Sequence, residues 1–146
     1  MPSASADLFL QLWIAAHRGE RLVAHELERD GVVTPQLAVL LLVERHQPAT
    51  LTELATELGV PFMTASDAVG RLVDAGLASR APNPDDRRSL LVSLTAAGRA
   101  RLKAAQKPMQ RALQHLVAAP DTDLSSAAAA LAELNDLLAA ALAAKR

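Results

Sequence analysis

The 146-residue chain contains no cysteine and no tyrosine, and it has very few aromatic side chains of any kind. Without cysteine it has no disulfide, no thiolate ligand for a metal ion and no thiol redox switch. Aromatic residues make up 2% of the chain and hydrophobic residues 51%, so the core must consist of leucine, alanine and valine. Leucine and alanine are strong helix formers, and this composition therefore predicts a mainly α protein.

Long apolar runs are also missing. No stretch approaches the roughly 18 uninterrupted apolar residues of a membrane span, and the N-terminus lacks the basic and apolar regions of a signal peptide. We therefore expect a cytoplasmic protein that does not contact a membrane. The length is that of a single domain with helical extensions.

The chain also has no excess of positive charge. The net charge is −1, and residues 50–95 hold four arginines against six acidic residues. Nucleic-acid binding therefore has no support from overall charge. One basic stripe does occur, because Arg99, Lys103, Lys107 and Arg111 recur every four residues. Such a stripe is either a solvated helix face or a field that steers DNA toward neighbouring elements.

The residues that catalysis needs are scattered. The four histidines stand at positions 17, 25, 46 and 115, and the chain has neither a Gly-x-Ser-x-Gly motif nor a glycine-rich phosphate loop. Asp85 and Asp86 lie on a predicted loop tip and not in a cleft. We expect no enzymatic activity.

What the sequence does contain is a succession of helix start and stop signals. A first helix over residues 7–29 should end at Gly31, and Phe9 and Trp13 lie one turn apart on it. Thr34 and Pro35 then open a second helix, with the threonine as its cap and the proline in its first turn.

Two short helices follow, joined by a turn at Gly59. Thr50 and Glu53 form a capping box at the start of the first. Pro61 begins the second, whose inward face consists of Ala65, Ala68, Val69 and Leu72. Two short helices joined around a glycine are typical of a helix-turn-helix unit, although other helical hairpins share this spacing.

A β-hairpin comes next, with strands at 77–80 and 89–94 and a charged tip from Pro82 to Arg88. A helix-turn-helix followed by a hairpin is a winged helix, here with a two-stranded wing. Its second helix lies in the major groove, while the hairpin reaches along the backbone or into the minor groove.

The chain should end in two long helices. Thr95 caps the first, which runs to about Val117, and Pro120-Asp121 ends it; Asp121 or Asp123 caps the last. Leucines recur every seven residues in the last helix, as in helices that pack along one another. Either the terminal helices form an intertwined dimer, or they pack within one chain. The repeated leucines are Leu124, Leu131 and Leu138.

The chain from about Thr34 to Arg101 resembles the MarR family of winged-helix transcriptional regulators. The resemblance lies in the runs LTELATELGV, GRLVDAGLASR and DDRRSLLVSLTAAGR. The family's wing pattern is matched at five positions with the required spacing: Asp86, Arg88, Leu94, Thr95 and Gly98. It implies one MarR-like domain over residues 1–146, with residues 34–95 as the DNA-binding region and residues 1–33 and 96–146 as dimerisation helices.

The resemblance also implies how the chain would bind a double-stranded DNA operator. Arg88 extends into the minor groove, where the negative potential is concentrated, and Asp86 holds the tip in shape by accepting hydrogen bonds within the turn. Arg87 contacts a phosphate or is solvated. The other candidate DNA contacts are Thr64, Ser66 and Arg71 on the second helix and Thr50 at the start of the first.

The second helix departs from the family pattern at Pro61, Phe62, Met63 and Asp67. Met63 either touches a thymine methyl group or fills a gap in the packing. Asp67 accepts a hydrogen bond from a cytosine amino group or pairs with Arg71. The operator sequence is therefore not implied by the resemblance.

MarR-type regulators often respond to small aromatic ligands, which implies a possible effector pocket here. Phe9, Trp13, His17, Arg21 and His46 are its candidate residues, although Trp13 and His17 also suit a dimer core and a partly exposed histidine. We expect no other cofactor. We also expect no metal, because Arg111 stands four residues before His115, where zinc-sensing relatives need a second histidine.

Together these observations predict a homodimeric repressor that a small aromatic molecule releases from a pseudo-palindromic operator. The alternative is a winged-helix module that binds protein without specific DNA binding, which the low basic count of residues 50–95 favours.

Overall fold

The computed structural model describes residues 3–31, 33–117 and 123–145, with the side chains of 115–117 left out of the description. Within these ranges the chain forms a mainly helical winged helix, as predicted. The elements in chain order are α1 (Ala4–Glu28), α2 (Thr34–Arg45), β1 (Ala49–Thr50), α3 (Leu51–Leu58), α4 (Phe62–Asp74), β2 (Ala78–Pro82), β3 (Leu90–Leu94), α5 (Ala96–Val117) and α6 (Leu124–Ala143).

The helix starts agree with the sequence in part. The prediction that Thr34 caps α2 is wrong, because Val33 is the capping residue and Thr34 is already helical. Pro35 does lie in the first turn, as expected. Asp123 caps α6 by accepting a hydrogen bond from the Ser125 N–H at 2.9 Å. The predicted break at residues 120–121 lies outside the described residues.

The predicted two-stranded wing is confirmed as β2 and β3, and a third strand, β1, joins them in one sheet. All pairs are antiparallel in the order β1-β3-β2, with Ala49 opposite Val92 and Ala78 opposite Leu94. The extra strand β1 ties the segment before the helix-turn-helix to the wing. A strand of two residues is too short to show an alternating pattern, so β1 could not be predicted.

The core is aliphatic, as the composition requires. The main cluster lies between α2, α3, α4 and the sheet, and the predicted inward face of α4 is confirmed by the complete burial of Ala65, Val69 and Leu72. A second cluster joins α1, α2 and α5 through Leu27, Leu37 and Ala105. The helix-turn-helix, the wing and the base of the long helices are therefore packed together.

The start of α5 is hydrogen-bonded to the turn that follows α4. The Thr95 hydroxyl donates to the Gly76 carbonyl at 2.6 Å and accepts from the Gly98 N–H at 3.1 Å. The Thr95 N–H donates to the Leu77 carbonyl at 3.1 Å. A Cβ on Gly98 would overlap the same Leu77 carbonyl. The threonine and glycine of the wing pattern therefore serve the packing of the fold.

Much of the apolar surface of the two terminal helices is uncovered. No described residue of α6 is buried. Helix α6 is long and apolar enough to cross a membrane, with a mean hydropathy of 1.3, although it carries Glu133 and Asp136. The exposed large apolar residues of the two helices are Leu8, Phe9, Leu10 and Trp13 on α1, and Leu131, Leu137, Leu138 and Leu142 on α6.

Candidate nucleic-acid interface

The wing tip is an ordered turn held by short-range hydrogen bonds. Asp86 Oδ1 accepts from the Arg88 N–H at 2.9 Å, and the Asp86 carbonyl accepts from the Ser89 N–H at 3.0 Å. Asn83 Nδ2 closes the base of the tip by donating to Ser89 Oγ at 2.8 Å. The predicted hydrogen bonding of Asp86 within the turn is confirmed.

The two tip arginines are free to meet a partner. Arg87 and Arg88 are exposed, and within the described part of the chain neither forms a salt bridge. A fixed backbone therefore presents two cationic side chains to solvent at the apex of the hairpin.

The outward face of α4 carries the predicted mixture of side chains. Thr64, Asp67 and Arg71 are exposed, and Ser66 is half-buried. Met63 is 66% exposed, so the expectation that it fills a packing gap is wrong. A side chain with that exposure fills no cavity in this chain.

The wing tip and the start of α4 border one groove of about 260 Å³. Arg88 and Asp86 line it from the wing, and Phe62 lines it from the first turn of α4. Leu51 and Thr52 complete it from the start of α3, together with Ser89 and Leu90 from the wing. The structure thus brings the predicted minor-groove arginine beside the beginning of the predicted reading helix.

Arg80 links the wing to α4, a contact that was not predicted from the sequence. Its guanidinium on β2 donates from Nη2 to the Ser66 carbonyl at 2.9 Å. A Cβ on Gly70 would lie 3.6 Å from the same Nη2, which is an ordinary van der Waals distance, so Arg80 passes close to Gly70 without requiring a glycine there. The two residues are 14 positions apart, and the sequence carries no local sign of this hydrogen bond.

Thr50 serves the start of α3. Its N–H and hydroxyl donate to Glu53 Oε2 at 2.7 and 2.9 Å, and its Oγ1 accepts from the Glu53 N–H at 3.2 Å. The predicted capping box is therefore confirmed. These hydrogen bonds hold the pKa of Glu53 below its ordinary value of 4.5. A contact of Thr50 with DNA stays a prediction.

Comparison with protein families matches residues 32–90 to the model of the MarR family. Over these residues the chain is similar to the MarR family. Its members are transcriptional regulators, and three similar proteins illustrate the likeness. The activatory protein BadR of Rhodopseudomonas palustris is 31% identical over 108 residues, which are 72% of this chain and 62% of BadR.

Two solved MarR structures share the fold. A mutant MarR from E. coli, complexed with operator DNA, is 26% identical, with a TM-score of 0.74 over 90% of this chain and 94% of that one. A MarR-family regulator from Rhodococcus sp. RHA1 is 21% identical, with a TM-score of 0.80 over 92% and 96% of the two chains. The matches to sequence relatives span only 38 to 62% of those proteins' lengths.

The basic stripe on α5 is neutralised by carboxylates at one of its ends. Arg111 forms salt bridges with Asp30 and Glu26 of α1, and Arg99 donates to the Leu94 carbonyl at 3.0 Å. Lys103 and Lys107 are exposed. Of the four residues, only Arg111 is therefore paired with carboxylates within the described residues, while Arg99, Lys103 and Lys107 keep their positive charges at the surface.

The five candidate effector residues fall into separate places in the single chain. Trp13 and His17 stack with ring centroids 5.4 Å apart, and both are exposed. Arg21 lines a groove of about 560 Å³ along α1. His46 Nε2 lies 4.0 Å from Glu57 Oε1, on α3.

Phe9, the fifth candidate, is 69% exposed on α1. An effector pocket that unites these residues stays a prediction. Among the described residues, no group of three or more acidic or histidine side chains is placed to hold a metal ion.

Proposed function

We propose that the chain acts as a homodimeric repressor that binds a pseudo-palindromic DNA operator in the cytoplasm and is released by a small aromatic ligand. The observation that carries this proposal is the juxtaposition at the groove between wing and helix. There Asp86 orders the turn that presents Arg88 beside the exposed start of α4.

This geometry suits a DNA duplex because an element for the major groove, α4, lies beside an element for the minor groove, the wing tip. A helix of the exposed, polar character of α4 fits the major groove, where its first residues approach the base edges. An unpaired arginine at a hairpin apex suits the narrow minor groove, whose potential favours a cation. In a symmetric dimer the two α4 helices would lie about one duplex turn, roughly 34 Å, apart.

The uncovered terminal helices support the dimer. Four leucines of α6 and four large apolar residues of α1 are exposed in the single chain, and so many exposed apolar side chains on two helices favour an interface. Membrane insertion would leave the charges of Glu133 and Asp136 in lipid, which is costly. A second copy of the chain covers the same leucines at no such cost.

The DNA part is tested by gel shifts on the gene's own upstream region and on random duplex, each at a series of salt concentrations. We expect binding to both to weaken steeply with salt, because cationic side chains displace condensed counterions. Footprinting should then show two related half-sites in the upstream region. Absence of binding, or binding that ignores salt, would instead favour the protein-interaction module.

The dimer is tested by light scattering after gel filtration of two charge variants of α6. Leu138→Lys adds a charge to the exposed leucine face and should give a monomer. Asp136→Lys lies about 160° from Leu138 and about 100° from Leu137 around the helix, and serves as the matched control. If both variants run as the parent does, the α6 face is not the dimer interface.

The direction of regulation needs its own measurement, because BadR is named an activatory protein. Deletion of the gene should raise transcription from the footprinted promoter, and a fall would make the protein an activator. A panel of aromatic acids and phenols added to the gel shift tests release. A protein that no member of the panel displaces would lack the proposed effector response.

A further inference from the structure

Met63 is an apolar side chain on a face that is otherwise polar. It is the second residue of α4 and is 66% exposed, while Phe62 before it is 50% exposed. Isolated exposed apolar residues are common and need no explanation. These two are adjacent, and Phe62 lines the groove that Arg88 also lines, so the pair is continuous with the proposed DNA interface.

The positions of the two side chains differ. Phe62 lines the groove together with Leu51 at the start of α3 and Leu90 of the wing. Asp67 and Arg71 follow Met63 at one-turn intervals and are exposed as well. Met63 is therefore the first residue of the row that would enter the major groove.

The chemistry of methionine limits what this side chain can recognise there. Its thioether is only a weak acceptor and has nothing to donate to a phosphate or a base edge. In the major groove, the 5-methyl group of thymine is the apolar feature that distinguishes one base pair from the others. Contact between these two groups removes apolar surface from water on both sides.

We propose that Met63 contacts the methyl group of one thymine in each operator half-site and so determines part of the sequence specificity. This inference rests on the proposed operator binding and extends it to a named base.

The test removes single methyl groups from the DNA. Each thymine of the operator is replaced in turn by deoxyuridine, which keeps the base pair and lacks only the methyl group. The operator comes from the footprint or, if that yields none, from selection in a random duplex library. We expect one thymine per half-site at which the replacement weakens binding about fourfold, from burial of one carbon at about 0.8 kcal/mol.

The same duplexes are then measured with Met63→Ser, for which the replacement at that thymine should have no effect. Val33→Ser is the matched control, because it also removes an exposed apolar side chain but lies outside α4 and the wing. This control should keep the fourfold difference. Met63→Ser should unfold at the parent's temperature, since Met63 is exposed, while Val33→Ser should unfold at the same or a higher temperature, because serine caps α2 better than valine.

Three outcomes contradict the inference in distinguishable ways. If no thymine is sensitive, or if Met63→Ser retains the sensitivity, operator binding stands and the role of Met63 is wrong. If the parent binds no duplex at all, the proposed function fails and the inference fails with it.

Discussion

Asp86 places a negative charge at the point where the protein is proposed to meet a polyanion, and two substitutions separate its two effects. Asp86→Ala and Asp86→Asn both remove the charge, which by itself should strengthen attraction to phosphates. Only asparagine keeps an oxygen that can accept from the Arg88 N–H, the hydrogen bond of 2.9 Å that fixes the turn. The two variants therefore differ in the hydrogen bond and share the change in charge.

The size of the difference follows from that one bond. A hydrogen bond of this kind contributes about 1 kcal/mol net, and an operator-bound dimer uses two wings, for about 2 kcal/mol in all. That corresponds to roughly thirtyfold in affinity. We expect Asp86→Asn to bind at least as tightly as the parent, and Asp86→Ala to bind about thirtyfold more weakly than Asp86→Asn.

Fluorescence anisotropy of a labelled operator at several salt concentrations measures both variants. Their salt dependence should be the same, because they carry the same charge. The Asp86 carbonyl still accepts from the Ser89 N–H in each variant, so the tip should stay folded and the unfolding temperatures should agree. Equal affinities for the alanine and asparagine variants would show that this hydrogen bond does not position Arg88.

Three further predictions address the reading arginine, the packing of α5 and the pH dependence of α3. Arg88→Ala should weaken operator binding by about 1–3 kcal/mol without changing the unfolding temperature; a gel shift equal to the parent's would refute the minor-groove role. Gly98→Ala should destabilise the protein by about 1–3 kcal/mol in urea unfolding, because its methyl group meets the Leu77 carbonyl. Gly19→Ala, with open space around it in a helix, should instead stabilise by up to about 1 kcal/mol, and the same sign for both would contradict this account. Folding lowers the pKa of Glu53 from 4.5, so the ionised carboxylate stabilises the folded protein. This contribution to the unfolding free energy should be complete above pH 4.5 and should be lost as the pH falls through the pKa that Glu53 has in the folded protein. The unfolding free energy of Glu53→Gln should fall less steeply over that acid range, and parallel slopes would argue against the capping box as the cause.

The features predicted well from the sequence are those that depend on residues close together in the chain. The capping box of Thr50 and Glu53 spans three residues, and the turn bond between Asp86 and Arg88 spans two. Side-chain and backbone groups at such separations meet whenever the local conformation forms. The residue types and their spacing in the sequence were therefore enough to predict both sets of hydrogen bonds.

The features that sequence reasoning missed depend on contacts across the fold. Arg80 reaches the Ser66 carbonyl over 14 residues, and nothing in its own neighbourhood distinguishes it from a solvated arginine. Arg111 was assigned to a basic stripe by its spacing, yet its carboxylate partners come from α1. The cap of α2 was predicted one residue too late: the Thr-Pro pattern indicates Thr34, whereas the helix begins at Thr34 and Val33 precedes it as the cap.

Trp13 gives the molecule a built-in optical reporter. It is the one tryptophan in a chain without tyrosine, so ultraviolet emission comes from a single position near the free end of α1. In the isolated chain the indole is 60% exposed to water and stacked on the His17 ring. Assembly of two copies over this helix would move the indole into a drier environment and shift its emission to shorter wavelength. Dilution followed by emission wavelength can thus measure the strength of subunit association without a label.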